Sequence, residues 1–289
     1  MDKEYRRPGR PTGDQEALSY LLSRIEQEGH PRPELAVVLG SGLSAAAPDL
    51  TAGGELTFSE VPGWPQGEVE GHEGILRYGG WSGTPVLIQL GRLHYYQGLD
   101  MNEVSLPVRL IAGLGVRAAF MSNAAGALNP MYDKGQLMLI RDHINLMGVN
   151  PLRGERDPNG QPAFLDVCDL YDEKAGDLLM ERARLSAWPM EEGALVVVSG
   201  PSYETGAELR FMRLIGGDAV SMSLVPEALV AHYLGISVTA VSVLTNVWDL
   251  RRPQPISHRE VLNIAVQASP VLKEVIKAWL EYNTAQDDE

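Results

Sequence analysis

Residues 84–98 read TPVLIQLGRLHYYQG. The first half is an almost unbroken apolar run, the composition of a strand buried on both faces. The second half changes character at once: Arg92, His94, Tyr95 and Tyr96 stand between Gly91 and Gly98. A surface turn has no need of that chemistry, whereas a place that holds an anion does. In open α/β sheets, ligands bind beyond the carboxyl ends of the strands. A buried run that exits into such residues therefore predicts a sheet and a site at its edge together.

The pattern repeats outward from this stretch. GILRYGG lies just before it, and the intervening WSG predicts a hairpin. LAVVLG (Leu35 to Gly40) is a short strand that exits into GSGLS, and RAAFMSN exits into NAAGALNP. QLMLIRDHINL (Gln136 to Leu146) reads as another strand. ALVVVSG exits into PSYETGAE, AVSMS into SMSLVPEA, and ISVTAVSVLTN into TNVWD. Helical spacing marks QEALSYLLSRIEQEG, the stretch from Asp172 to Ala187, TGAELRFMRLIG, EALVAHYLG and the terminal HREVLNIAVQASPVLKEVIKAWLEY. NEVSLPVRLIAGLG reads as a helix interrupted or kinked near Pro107. Residues 150–170 form a long loop rich in Pro and Gly, of the kind that is often functional. Alternating strands and helices predict α/β: a single domain over 14–284, with a mixed, mostly parallel central β-sheet flanked by helices. Residues 1–13 and 285–289 are expected to be loose termini.

Bulk properties narrow the function. The 289 residues are 44% hydrophobic and 21% charged, as in ordinary globular chains. A net charge of −14 argues against nucleic acid and anionic membranes as partners. A small anionic substrate would need a local cationic pocket set against that field. The single cysteine, Cys168, excludes an internal disulfide and a cysteine zinc site, and is expected to be a buried structural thiol. No apolar leader stands at the N-terminus, and no apolar run approaches the ~20 residues of a membrane span. The expectation is a cytoplasmic protein.

GSGLSAAAP (Gly40 to Pro48) loosely matches a dinucleotide fingerprint. That motif needs a helix opening behind it, and Pro48 with DLTAGG interrupts one. No lysine follows the glycines, so a P-loop fails as well. What survives is a nest for one phosphate, with Ser41 adding a hydroxyl, or else a plain glycine turn. Arg92 offers a planar fork that matches phosphate oxygens, and His94 beside it a further donor. Ser223 supplies another hydroxyl, Tyr203 an aromatic face and Glu204 an acceptor pair. Asn246 both donates and accepts. Together these residues suit a ligand with a phosphate, a hydroxylated middle and a flat heterocycle. The six histidines contain no pair three or four residues apart, and no metal or other cofactor is expected.

In this order, GRLHYYQG, SNAAGALNP, LMLIRDHINL, GPSYETGAELR, DAVSMSLVPEA and LTN resemble the trimeric class of purine nucleoside phosphorylases. The resemblance runs from residue 40 to about residue 260. It implies reversible phosphorolysis of 6-oxopurine nucleosides (inosine, guanosine), with inorganic phosphate as co-substrate, in purine salvage. By resemblance, Ser41, Arg92, His94, Ser223 and the backbone N–H of Ala125 hold phosphate, with His72 of GHEG nearby. Tyr96 and Met222 contact the ribose, and His258 reaches its 5′-hydroxyl. Tyr203 lies on the purine, Glu204 accepts from its N1–H side, and Asn246 bonds N7 and O6. Ala124, Gly126, Val220 and Thr245 line base and sugar. Phe164 matches an aromatic residue that relatives insert into the neighbouring subunit's site, which implies a homotrimer.

Two positions depart from the family pattern. Gln97 stands where relatives often have Glu, and Ser221 where Gly is expected in the base pocket. Three rivals remain in view. A methylthioadenosine phosphorylase would carry a carboxylate in place of Asn246 and an apolar pocket in place of His258. A nucleoside hydrolase would leave Arg92 and His94 without a purpose. A catalytically silent purine- or phosphate-binding protein would bind without turnover.

Overall fold

The apolar runs form strands in the order in which they occur, and one strand forms where the sequence predicts none. The computed structural model describes residues 12–65, 73–157, 159–249 and 257–285. The strands are β1 (Leu35–Leu39), β2 (Thr51–Thr57), β3 (Ile75–Trp81), β4 (Thr84–Leu90), β5 (Ala118–Ala127), β6 (Leu137–Asn145), β7 (Met190–Val197), β8 (Ala219–Ser221) and β9 (Ser237–Val247). The helices are α1 (Thr12–Gln27), α2 (Met101–Leu114), α3 (Glu173–Ser186), α4 (Gly206–Leu214), α5 (Val225–Tyr233) and α6 (His258–Ala285). None of them, among the described residues, is long and apolar enough to cross a membrane.

The strands form one sheet in the order β2-β3-β4-β1-β5-β8-β7-β6-β9. β9 also pairs with β5, so the second half of the sheet closes into a ring. β1 lies parallel to both β4 and β5, and β5–β9, β6–β7 and β7–β8 are parallel too. The pairs β2–β3, β3–β4, β5–β8 and β6–β9 are antiparallel, so the sheet is mixed. The expected hairpin is β3–β4, turned by Ser82 (φ 47°) and Gly83 (φ 95°). Two successive positive φ angles match the right-handed twist of the flanking strands.

The unbroken apolar run of β1 has a direct cause. Ala36 and Val38 pack into a core with α1, α2 and α5, whereas Leu35, Val37 and Leu39 pack into a second core with α3 and α6. Both faces are covered, so neither needs polar residues.

One omission and two expectations require correction. DLTAGG does interrupt a helix after GSGLS, but TAGGELT, for which no element is predicted, forms the edge strand β2, with Leu56 its one buried residue. Its glycines let the backbone close on Tyr78: a Cβ at Gly54 would lie 2.7 Å from the phenol ring. α2 runs through Pro107 without interruption. A full capping box starts it, with Asp100 accepting from the Glu103 N–H at 2.9 Å and Glu103 accepting from the Asp100 N–H at 2.7 Å. Cys168 is exposed, not buried. It lies in the loop between β6 and α3, where a hydrogen bond to Asp166 and that residue's charge push its thiol up, away from reactivity.

Candidate active site

The ends of β1, β4, β5, β8 and β9 surround one cleft, with an empty volume of about 680 Å³ including its open mouth. The strand pairing places it: the β5–β9 register slips between Ala125 and Gly126, at the cleft wall. Such bulges redirect side chains at the rims of closed sheets.

One end of the cleft is built around Arg92. Its side chain is 0% exposed, and its Nη1 donates to the Ser122 carbonyl at 2.7 Å. Its Nε lies 3.0 Å from Oε2 of Glu227 on α5, itself buried. Burial pushes the Glu227 carboxyl up, and the guanidinium pulls it back. The arginine is thus oriented before any ligand arrives. Gly40 makes room for it, because a Cβ there would sit 3.1 Å from Nη1 and 3.0 Å from the Ser122 oxygen. Gly42, at φ +72°, lets the turn pass α6, with Ala265 Cβ 3.1 Å from where its own Cβ would be. Both glycines of GSGLS have steric reasons to be there, and Ser41 between them lines the cleft.

His94, Ala125 and Ser223 line the same cleft. The His94 backbone N–H donates to Oε1 of Gln97 at 2.6 Å. An amide oxygen accepts here as a carboxylate would. The His94 ring stacks on Tyr96, with centroids 4.6 Å apart and planes 20° apart. Burial pushes the Tyr96 phenol up to about 12.

The other end is built on β9 and the start of α4. The single hydroxyl proton of Thr245 has two acceptors in reach, the Ala125 carbonyl at 3.3 Å and Oδ1 of Asn246 at 3.4 Å, while the Asn246 Nδ2 is buried without a hydrogen-bond partner. Glu204 precedes α4 and lines the cleft; burial pushes its carboxyl up. Thr205 caps that helix, accepting from the Glu208 N–H at 3.3 Å. Tyr203 stands at the mouth, 43% exposed. Ala124, Gly126, Val220, Met222 and His258 complete the wall.

These fifteen residues, all predicted from the sequence, are brought together in the one cleft. Phe164 is not among them: it projects from the loop after β6, 91% exposed. His72 lies outside the described residues. Sequence reasoning missed Glu227, Asn123, Trp248 and Val261. Ser221 also lines the cleft, but its hydroxyl donates to the Ala124 carbonyl at 2.9 Å, which ties it to the wall. A buried arginine demands a counter-charge, but nothing in the sequence marks Glu227 as the acid that supplies it.

Residues 34–281 match the family model described as "Phosphorylase superfamily". The chain is 38% identical over 254 residues to purine nucleoside phosphorylase 1 of Bacillus subtilis, covering 88% of this chain and 94% of that protein. Purine nucleoside phosphorylase from Schistosoma mansoni, solved with adenosine, superposes with a TM-score of 0.84 at 30% identity, covering 94% of this chain and 98% of that one. Isoform 2 from the same organism, solved with cytosine and ribose-1-phosphate, also gives 0.84 at 30% identity, covering 92% and 95%.

Proposed function

The chain belongs to the phosphorylase superfamily, among its purine nucleoside phosphorylases, and from that premise we propose that it acts on 6-oxopurine nucleosides. Inosine, guanosine and their deoxy counterparts react reversibly with inorganic phosphate, giving the free base and (deoxy)ribose 1-phosphate for purine salvage in the cytoplasm. The observation that carries the choice of base is the buried, unpartnered Nδ2 of Asn246. A donor taken from water without a partner is unfavourable until a ligand supplies an acceptor. The N7 and O6 edge of a 6-oxopurine supplies acceptors, and Glu204 across the cleft accepts the N1–H that such a base carries.

The chemistry rests on two charges. As the C1′–N9 bond breaks, the sugar becomes oxocarbenium-like and electron density moves onto the purine. Asn246, donating to N7, with Glu204 fixing the base, favours the leaving group. Phosphate held by Arg92, His94, Ser41, Ser223 and the Ala125 N–H faces the cationic carbon and attacks it from the opposite side, with inversion. Preorganisation by the Glu227–Arg92 pair and by the β5 bulge supports catalysis through positioning and electrostatics. Tyr96, Met222 and His258 hold the sugar, and Tyr203 covers the base. Phe164 reaches the neighbouring site in a homotrimer; its 91% exposure supports that role.

The test is the ratio of kcat/KM for inosine to that for adenosine, in the wild type and in Asn246→Asp. The expected outcome is a wild-type preference for inosine that the aspartate lowers by roughly tenfold or more, since a carboxylate accepts from a 6-amino group. A wild-type ratio at or below one overturns the choice of base. The adenosine held by the Schistosoma mansoni relative makes it the right competitor.

A further inference from the structure

Trp248 stands just past β9 and lines the cleft beside Asn246, a position the motif reading leaves without a role. Its backbone N–H donates to the Ala127 carbonyl at 3.0 Å, which ties it to β5. It belongs to a small buried cluster with Leu128, Val196, Leu209, Met212 and Val220. The residue is 8% exposed. Its Nε1–H is nonetheless buried without a hydrogen-bond partner, as is the Nδ2 of Asn246. The two donors converge on one face of Gly126: a Cβ built there would lie 2.6 Å from the indole nitrogen and 2.9 Å from the amide nitrogen. Only glycine leaves that approach open.

We propose that Trp248 is a specificity-determining residue, its indole N–H donating to O6 of a 6-oxopurine while the Asn246 amide donates to N7. The inference rests on the 6-oxopurine reading above and deepens it. An asparagine is ambiguous, because a flip of its amide presents oxygen in place of NH₂. The Thr245 hydroxyl, 3.4 Å from Oδ1, opposes that flip only weakly, so Asn246 alone sets a preference for a 6-oxo group and not an exclusion of a 6-amino group. An indole has no acceptor to present. Beside Trp248 a 6-amino group puts donor against donor, whereas a 6-oxopurine satisfies both orphan N–H groups, O6 that of the indole and N7 that of the amide. Gly126 makes the pairing possible, and burial of the indole in its apolar cluster favours the orientation seen.

The test compares kcat/KM for inosine and for adenosine, at saturating phosphate, in the wild type and in Trp248→Phe. Phenylalanine keeps most of the apolar body and removes the donor. Expected is a loss of about ten- to a hundredfold with inosine, and adenosine turnover unchanged or raised. Unchanged adenosine turnover also reports an intact fold. Equal losses with both substrates, or no loss with inosine, overturn the role of Trp248. A wild type that shows no preference for inosine overturns the 6-oxopurine reading itself, and is read without any variant. A second measurement needs no substitution. Among the indole N–H signals of the five tryptophans, one is expected to move downfield with hypoxanthine and to stay in place with adenine. A set of signals that hypoxanthine leaves unmoved overturns the proposal.

Discussion

At the scale of single residues, the site depends on charges and donors fixed in advance. Arg92 lies in the interior with Glu227 as its counter-charge. Breaking a buried pair costs about 3–5 kcal/mol, because one charge stays behind uncompensated. In Glu227→Gln that charge is the guanidinium, and phosphate bound as proposed at Ser41, His94 and Ser223 would compensate it. The variant should melt well below the wild type in phosphate-free buffer, and added phosphate should raise its melting point more than it raises that of the wild type. Equal phosphate protection in the two proteins would show that Glu227 holds the fold and not the anion site. Residues of this kind divide sharply in how legible they are. Arg92, His94, Ser223, Glu204 and Asn246 are readable because each stands at or just past an apolar run, where a polar side chain is out of place unless it is used. Glu227 is not, because it sits in the first turn of α5, where an acid is ordinary on dipole grounds alone. Trp248 is not, because an indole beside a strand reads as core, and only the geometry shows its N–H without a partner.

At the scale of elements, placement is a matter of how strands end and helices begin. Glu204 is held by the start of α4, since Thr205 caps that helix and Glu208 accepts from the Thr205 N–H at 2.7 Å. Thr205→Ala should cost about 1 kcal/mol of stability. It should also raise KM for the nucleoside and leave KM for phosphate near its wild-type value, because the loosened carboxylate meets the base alone. Thr205→Ser keeps the cap and should behave as the wild type; a Thr205→Ala variant with unchanged nucleoside KM would separate the cap from the site. Most elements are legible from periodicity and breakers, including the β3–β4 hairpin and the long loop after β6. β2 is not, because its pattern is neither apolar nor alternating and the strand exists only against the Tyr78 edge of β3. The break expected at Pro107 is absent, since the Asp100–Glu103 box and burial of the α2 face outweigh one missing N–H.

At the scale of the molecule, local patterns predict alternating strands and helices but not the closure of β5, β8, β7, β6 and β9 into a ring. Closure is a long-range pairing between β5 and β9, more than a hundred residues apart in the chain, and no local pattern encodes it. The register shift at Ala125 and Gly126 lies on that closing pair, and both residues line the cleft. The chain carries −14 overall, and the buried Arg92 at the cleft is already paired with Glu227, so the proposed anion site depends on local donors and not on the global field. The most direct measurement incubates the purified protein with inosine, with and without inorganic phosphate, and identifies the sugar product. Hypoxanthine with ribose 1-phosphate, formed only when phosphate is present, is the expected result. Hypoxanthine with free ribose in phosphate-free buffer would contradict it, since Arg92 and its surroundings would then have no anion to hold.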